Sequence, residues 1–351
     1  MTSTRRDFVF QVGTVIAAAT VGCQKKETMP SGPTNPAPES KSPPATAGEL
    51  PQRQLGKTGV RVSALGLGGF HMGQGGSDED GVRLVRTAID EGITFIDNCW
   101  DYNNGNSETR AGKALADGYR DRVYLMTKLD GRTKASALAQ LEQSLKRMNT
   151  DRIDLVQIHE VIYPNDPDRC FAAGGCVEAL VEAQKAGKLR HIGFTGHKDP
   201  DIHLAMLAAA KKHGFRFDAV QMPLNVLDAH YRSFEKKVLP ELVKDDIAVL
   251  GMKSCGAGDV LKSGVVTPEE CIRYALSLPT SVVISGMENL ELLRKNLKIA
   301  REFKPLSETE RTELLARTEP KSRTGEFEPF KTTQKYDGTA RNPHWLEEAR
   351  L

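Results

Sequence analysis

The chain has 351 residues, 39% of them hydrophobic, with 48 Lys and Arg against 46 Asp and Glu and a formal charge of +2. That is enough chain for a large domain with a sizeable core, and the balanced charge excludes the one-sided basic surplus of a nucleic-acid protein. No apolar run reaches the ~18 residues of a membrane-spanning helix. The six cysteines, at 23, 99, 170, 176, 255 and 271, are too sparse for a disulfide scaffold and lack the spacing of a metal site.

The chain opens with Arg5-Arg6-Asp7-Phe8-Val9, followed by an apolar stretch that ends Val15-Ile16-Ala17-Ala18-Ala19. A charged start, a short apolar middle and small residues at the end have the layout of an export signal. The paired arginines before Phe8 resemble the twin-arginine type. The expectation is a protein exported by the twin-arginine machinery, periplasmic or tethered on the outer side of the inner membrane. Val21-Gly22-Cys23 would close residues 1–23 as a lipoprotein-type signal with Cys23 as the lipid anchor, although Thr20 departs from the aliphatic residue usual there. Residues 24–50, rich in Pro, Ser, Thr, Ala and Lys, read as a flexible linker.

Beyond it, Gly56 and Gly59 mark a small hairpin over 51–61. Strands are then predicted at 62–67, 94–97, 123–127, 153–158, 191–194, 219–222, 248–252 and 282–285. Amphipathic helical segments separate them, as at 135–148, where Leu138, Leu141, Leu145 and Met148 recur at spacings of three and four. A strand–helix unit of roughly thirty residues, eight times over, predicts an α/β fold: a (β/α)8 TIM barrel over 51–302 with an N-terminal β-hairpin. An open doubly wound sheet would carry GxGxxG after its first strand, but Gly66-Leu67-Gly68 is followed by His71 where the last glycine belongs. Residues 303–351 form a C-terminal extension, with one helix and with Phe327, Phe330, Tyr336 and Trp345 expected to pack on the barrel.

In such a barrel the chemistry sits at the C-terminal strand ends. There the sequence places Asp97 and, five residues on, Tyr102; then Lys128; then His159. Taken singly, each has an ordinary structural use as a cap, a packed loop residue, a surface lysine or a core histidine. Their common position on one rim points to chemistry. Paired carboxylates of a hydrolase, with Asp97 and Glu160 as candidates, would leave Tyr102 and Lys128 without a role. Cys99, beside Asp97, should be a free thiol, and Cys170 with Cys176 is the pair best placed in sequence to bridge.

The stretch Phe95-Ile96-Asp97…Tyr102…Gly105-Asn106-Ser107-Glu108, with Thr127-Lys128, Gln157-Ile158-His159, Gly193-Phe194-Thr195 and Gln221, resembles the aldo-keto reductase family over residues 53–301. The resemblance implies an oxidoreductase that moves a hydride between NAD(P)H and an aldehyde or ketone, or in reverse an alcohol or sugar. The alternative is a cofactor-binding sensor or regulatory subunit with slow turnover. Tyr102 would be the general acid, with its pKa lowered by Lys128; Asp97 would hold Lys128, and His159 would orient the substrate oxygen. Cofactor contacts would come from Gly69, Phe70, Thr195, Gln221, Met252, Lys253, Gly286, Met287 and Asn296, with no metal. Gly196-His197 replaces the family's frequent Asn, and Met252 replaces its stacking aromatic. Gly286 and Leu292 stand where basic residues often hold a 2′-phosphate, so NADP is only slightly preferred over NAD, with Arg294, Lys295 or Lys253 as substitutes.

Overall fold

The computed structural model describes residues 48–72, 74 and 76–347, so the expected signal, most of the linker and the last residues lie outside the described residues. The first two strands, β1 (Gln52–Gln54) and β2 (Arg61–Ser63), pair antiparallel as a hairpin. Eight parallel strands follow: β3 (Leu65–Gly68), β4 (Phe95–Ile96), β5 (Tyr124–Leu129), β6 (Ile153–Ile158), β7 (Leu189–Thr195), β8 (Ala219–Pro223), β9 (Ala248–Met252) and β10 (Val282–Gly286). Each pairs with the next, and β10 closes on β3 with Val283 opposite Leu65 and Gly286 opposite Gly68. Closure leaves no free sheet edge.

The strand expected at 62–67 is two strands. The chain bends at Ala64, whose N–H donates to Pro51 O at 2.7 Å. Ser63 and Thr94 meanwhile exchange two hydrogen bonds, of 2.8 and 3.0 Å, at the foot of the barrel. The hairpin thereby belongs to the barrel floor. Leu55 and Val62 join Phe95, Tyr124, Met126, Leu155, Ala219, Leu250, Val282 and Ile284 in one buried cluster that fills the interior. The strand neighbours of these residues, among them Ile96, Leu125, Val156, Ile192 and Val249, face outward into the larger cluster beneath the helices.

This two-residue alternation positions the site. Phe95 faces inward and so does Asp97. Tyr124 and Met126 face inward, and Lys128 continues that face. Leu155 leads through Gln157 to His159, and Ala219 leads to Gln221. Helices cover the outside of the sheet, and several begin with reciprocal capping boxes such as Ser77 with Asp80 and Thr133 with Ser136. The helix expected at 135–148 spans Lys134–Arg147. No helix among the described residues is long and apolar enough to cross a membrane.

After the helix Glu308–Ser322, the tail makes short turns at Pro329–Thr332, Gly338–Arg341 and Pro343–Leu346. It bonds to residues that follow four strand ends. Lys331 Nζ meets Asp228 at 2.6 Å with both side chains fully buried. Asp337 takes His197 and Lys198 at 3.0 and 2.7 Å. Glu160 accepts from Gly338 N and Thr339 N at 2.8 Å each, and Leu346 O accepts from Arg132 N at 2.7 Å. The tail therefore crosses the rim where the chemistry was expected. Phe330 is fully buried, and Trp345 meets Trp100 edge-on at 5.6 Å.

Candidate active site

Asp97, Tyr102, Lys128 and His159 meet at the C-terminal mouth of the barrel. The Lys128 ammonium, 1% exposed, donates to the Asp97 carboxylate, to Asn98 O at 2.7 Å and to the Tyr102 hydroxyl at 3.1 Å. Tyr102 reaches this position because the chain after it takes three left-handed residues in succession, Asn103, Asn104 and Gly105 (φ 53°, 55° and 86°). Asn and Gly tolerate that region best. Asn103 also ties the turn down through Phe70 O at 2.7 Å and Ser107 Oγ at 3.0 Å. Phe70, 43% exposed, stands edge-on to the Tyr102 ring at 5.4 Å.

The electrostatics correct one expectation. On balance the Tyr102 pKa is raised, not lowered. Burial first, then the carboxylates of Asp97, Asp101 and Glu160 and the Cys99 thiol, push the phenol well above its ordinary value. The charge on Lys128 is spent on Asp97, whose own pKa burial raises and Lys128 partly restores. Tyr102 is thus held as a protonated donor, and Lys128 acts on it by orientation.

His159 has partners the sequence reading did not seek. Its Nδ1 lies 2.9 Å from the fully buried Asp130, 3.7 Å from Asp101 and 3.2 Å from Cys99 Sγ. Burial opposes a charged imidazole, but Asp130 and Asp101 outweigh it and raise the His159 pKa. Nδ1–H to Asp130 leaves Nε2 as the ring nitrogen available to a ligand. Burial and Asp130 in turn raise Asp101 to about 6. Arg132 fixes the frame by donating to Asp130 O, His159 O and Glu160 O at 2.7, 2.7 and 2.9 Å while pairing with Asp166 at 2.8 Å. Cys99, Asp101, Asp130 and His159 each offer a metal-ligand atom within 4.8 Å of the others. Spacing along the chain does not by itself reveal that group. Asp130→Asn should move the alkaline limb of kcat/KM to lower pH, because the protonated donor is lost as pH rises through a His159 pKa that one carboxylate no longer supports. An unmoved limb would sink this role for Asp130.

On the cofactor side, Thr195 Oγ1, Gln221 Oε1 and both amide atoms of Gln157 are buried with no hydrogen-bond partner among the described residues. Gln221 Nε2 lies 3.5 Å from Met252 Sδ, and the Gln221 side chain also hydrogen-bonds Asp97. Buried polar groups are normally satisfied, and a carboxamide, with donors and an acceptor, is the complement these atoms need. Gly69 and Gly286 are close approaches: an added Cβ would fall 2.3 Å from Asp97 O at the first and 2.1 Å from His71 at the second. Asn296 donates to Ser285 Oγ at 3.1 Å. The Met287 side chain is fully buried in the core, so only its main chain can face a ligand. Arg294 and Lys295 are exposed and paired with Glu91 and Glu291. Lys253 is drawn toward the tail.

The hydrolase alternative fails on contacts, since Lys128 holds Asp97 and the tail occupies Glu160. Cys99, Cys170, Cys176, Cys255 and Cys271 stand as free thiols, with the side chains of Cys170 and Cys176 in contact.

The model of the aldo/keto reductase family matches residues 64–265, more than half of the chain, and the chain belongs to that family. It is similar to the aldo-keto reductase YhdN of Bacillus subtilis, 34% identical over 230 residues, which cover 61% of this chain and 64% of that protein. The match thus spans just under two thirds of that relative's length. Methylglyoxal reductase DkgB of Escherichia coli O157:H7 is 27% identical over 263 residues, covering 70% of this chain and 91% of that one. Among solved structures, aldo-keto reductase AKR11C1 from Bacillus halodurans, in its holo form, superimposes with a TM-score of 0.63 at 23% identity, covering 77% of this chain and 96% of that one. That likeness supports the barrel.

Proposed function

We propose that the protein is a nicotinamide-nucleotide-dependent carbonyl reductase, able to run in reverse on an alcohol or sugar. One observation carries the reading: a protonated Tyr102 hydroxyl is held 3.1 Å from Lys128 at the barrel mouth, beside His159. When bound, the nucleotide supplies the hydride. Thr195, Gln221 and Gln157 would hold its carboxamide, Met252 would pack on the ring, and Gly286 and Asn296 would receive the adenosine phosphate end. His159 Nε2 and Tyr102 OH then donate to the carbonyl oxygen, and as charge develops there Tyr102 gives up its proton. Lys128, neutralised by Asp97, fixes the direction of that hydroxyl and steadies the phenolate left behind.

We infer NADPH as the preferred nucleotide. The support is Arg294 and Lys295, whose exposed ion pairs are worth little and can be exchanged for a 2′-phosphate. Small 2-oxoaldehydes are the first substrates to try, given the name of the Escherichia coli relative. Nucleotide oxidation that depends on added carbonyl supports the enzyme. Tight nucleotide binding with no turnover across a broad carbonyl panel would instead mark a sensor or regulatory subunit.

The Arg5-Arg6 stretch supports export by the twin-arginine route, to the periplasm or to a Cys23-anchored position outside the inner membrane. That route carries folded proteins, so the nucleotide can be bound before export. Arg5→Lys with Arg6→Lys should trap the protein in the cytoplasm on fractionation; unchanged export would reject the route.

A further inference from the structure

Four carboxylates around the barrel mouth have donors of their own. Glu160 accepts from Gly338 N, Thr339 N and Thr339 Oγ1 at 2.8, 2.8 and 2.7 Å. Asp337 accepts from His197 and Lys198. Asp259 accepts from Tyr336 OH at 2.7 Å, Lys335 at 3.0 Å and Lys262 at 2.5 Å. Asp97 has Lys128. The side-chain ammonium of Lys253, directly after β9, makes no hydrogen bond and no ion pair with the described residues. It instead lies over the rings of Tyr336 and Phe330, 4.4 and 5.2 Å from their centroids. The Lys253 backbone is left-handed, φ 56°, an unusual state for Lys that clusters at ligand sites. Glu160, also beside the site, is left-handed too, φ 45°.

Lys253 is half-buried; a cation that gives up part of its hydration needs an acceptor, and ring faces replace only part of what is lost. Burial accordingly lowers the Lys253 pKa to about 8, with Glu160, Lys128, Asp259 and Asp337 as the charges that act on it most. Those charges belong to β5, the β6 end, the β9 loop and the tail. None of them belongs to the helix Leu290–Arg301, which carries Asn296.

We propose that Lys253 is the anion-binding residue of the substrate pocket: the carbonyl substrate carries a carboxylate, and the Lys253 ammonium receives it beside the aromatic faces of Tyr336 and Phe330. A single ammonium under apolar cover suits a singly charged carboxylate better than a phosphate dianion, which draws several donors. The preferred substrates are then small aldehyde- or keto-acids. This rests on the reductase reading for turnover, but not for binding.

The test compares 4-carboxybenzaldehyde with 4-formylbenzamide, which differ in charge at matched size, and benzoate with benzamide as ligands of the NADP-loaded protein. In the wild type, the charged partner of each pair should be favoured by about 10- to 100-fold, the range for a hydrogen bond to a charged group. Lys253→Gln should erase the preference, Lys253→Arg should retain most of it, and nucleotide affinity should stay within a few-fold in both. Benzoate binding that depends on Lys253 without reduction of either aldehyde keeps the subsite and removes the reductase. Equal treatment of the two partners by the wild type overturns the subsite. A Lys253→Gln loss that falls on the nucleotide instead would also overturn it and assign the ammonium to the cofactor phosphates.

Discussion

Tyr102→Phe should lower kcat for carbonyl reduction by about 10²–10⁴-fold, the usual worth of a positioned general acid, and leave nucleotide affinity nearly unchanged. The substitution removes one oxygen. The ring keeps its edge contacts with Phe70 and His159, at 5.4 and 6.0 Å, so the site retains its shape. Lys128 keeps Asp97 and Asn98 O as acceptors, so no buried charge is stranded. What disappears is the proton that the carbonyl oxygen needs as the hydride arrives. Stopped-flow reduction under single-turnover conditions separates this chemical step from product release. A variant that keeps more than about a tenth of the wild-type rate constant would remove Tyr102 as the acid.

Lys128→Met should be worse for the fold. The Lys128–Asp97 pair is buried on both sides, 1% and 5% exposed. Removing the cation leaves a carboxylate in the barrel interior, which typically costs about 3–5 kcal/mol. In a domain of this size, that is a fall in Tm on the order of 10 °C. Activity falls as well, because the Tyr102 hydroxyl loses its orientation. The pair Lys128→Met with Asp97→Asn separates the two effects: stability should largely return, since replacing both partners of a buried pair is often neutral, while activity should not. Return of activity in the double variant would assign Lys128 a purely structural place.

Much of the barrel was legible because it is periodic. β6 and β9 match their expected bounds, as strand alternation and unit length are local properties of the chain. The expected 62–67 strand was misread because its break at Ala64 is made by contacts to Pro51 and Thr94, which local pattern does not contain. In the site, Asp97, Lys128 and His159 were readable from strand ends. Asp130 was within reach too: it lies two residues beyond Lys128, on the same face, and the alternation that placed the one places the other. The direction of the Tyr102 shift was not readable, because it depends on burial and on the summed charge of Asp97, Asp101 and Glu160. The Met287 side chain turns into the core, which leaves its main chain to face the loop, a matter local pattern does not contain.

The tail's grip on Glu160, His197 and Asp228 also sets an order in time. Synthesis runs from the N-terminus, and the barrel strands are complete once β10 has emerged, some forty residues before Pro329–Thr332 and Gly338–Arg341 exist. Until then Glu160 lacks its three donors and Lys253 lacks its ring faces. A ribosome that stops early therefore releases a barrel whose mouth is unfinished. Pocket competence therefore waits on the segment that carries Phe330, Tyr336, Gly338 and Thr339.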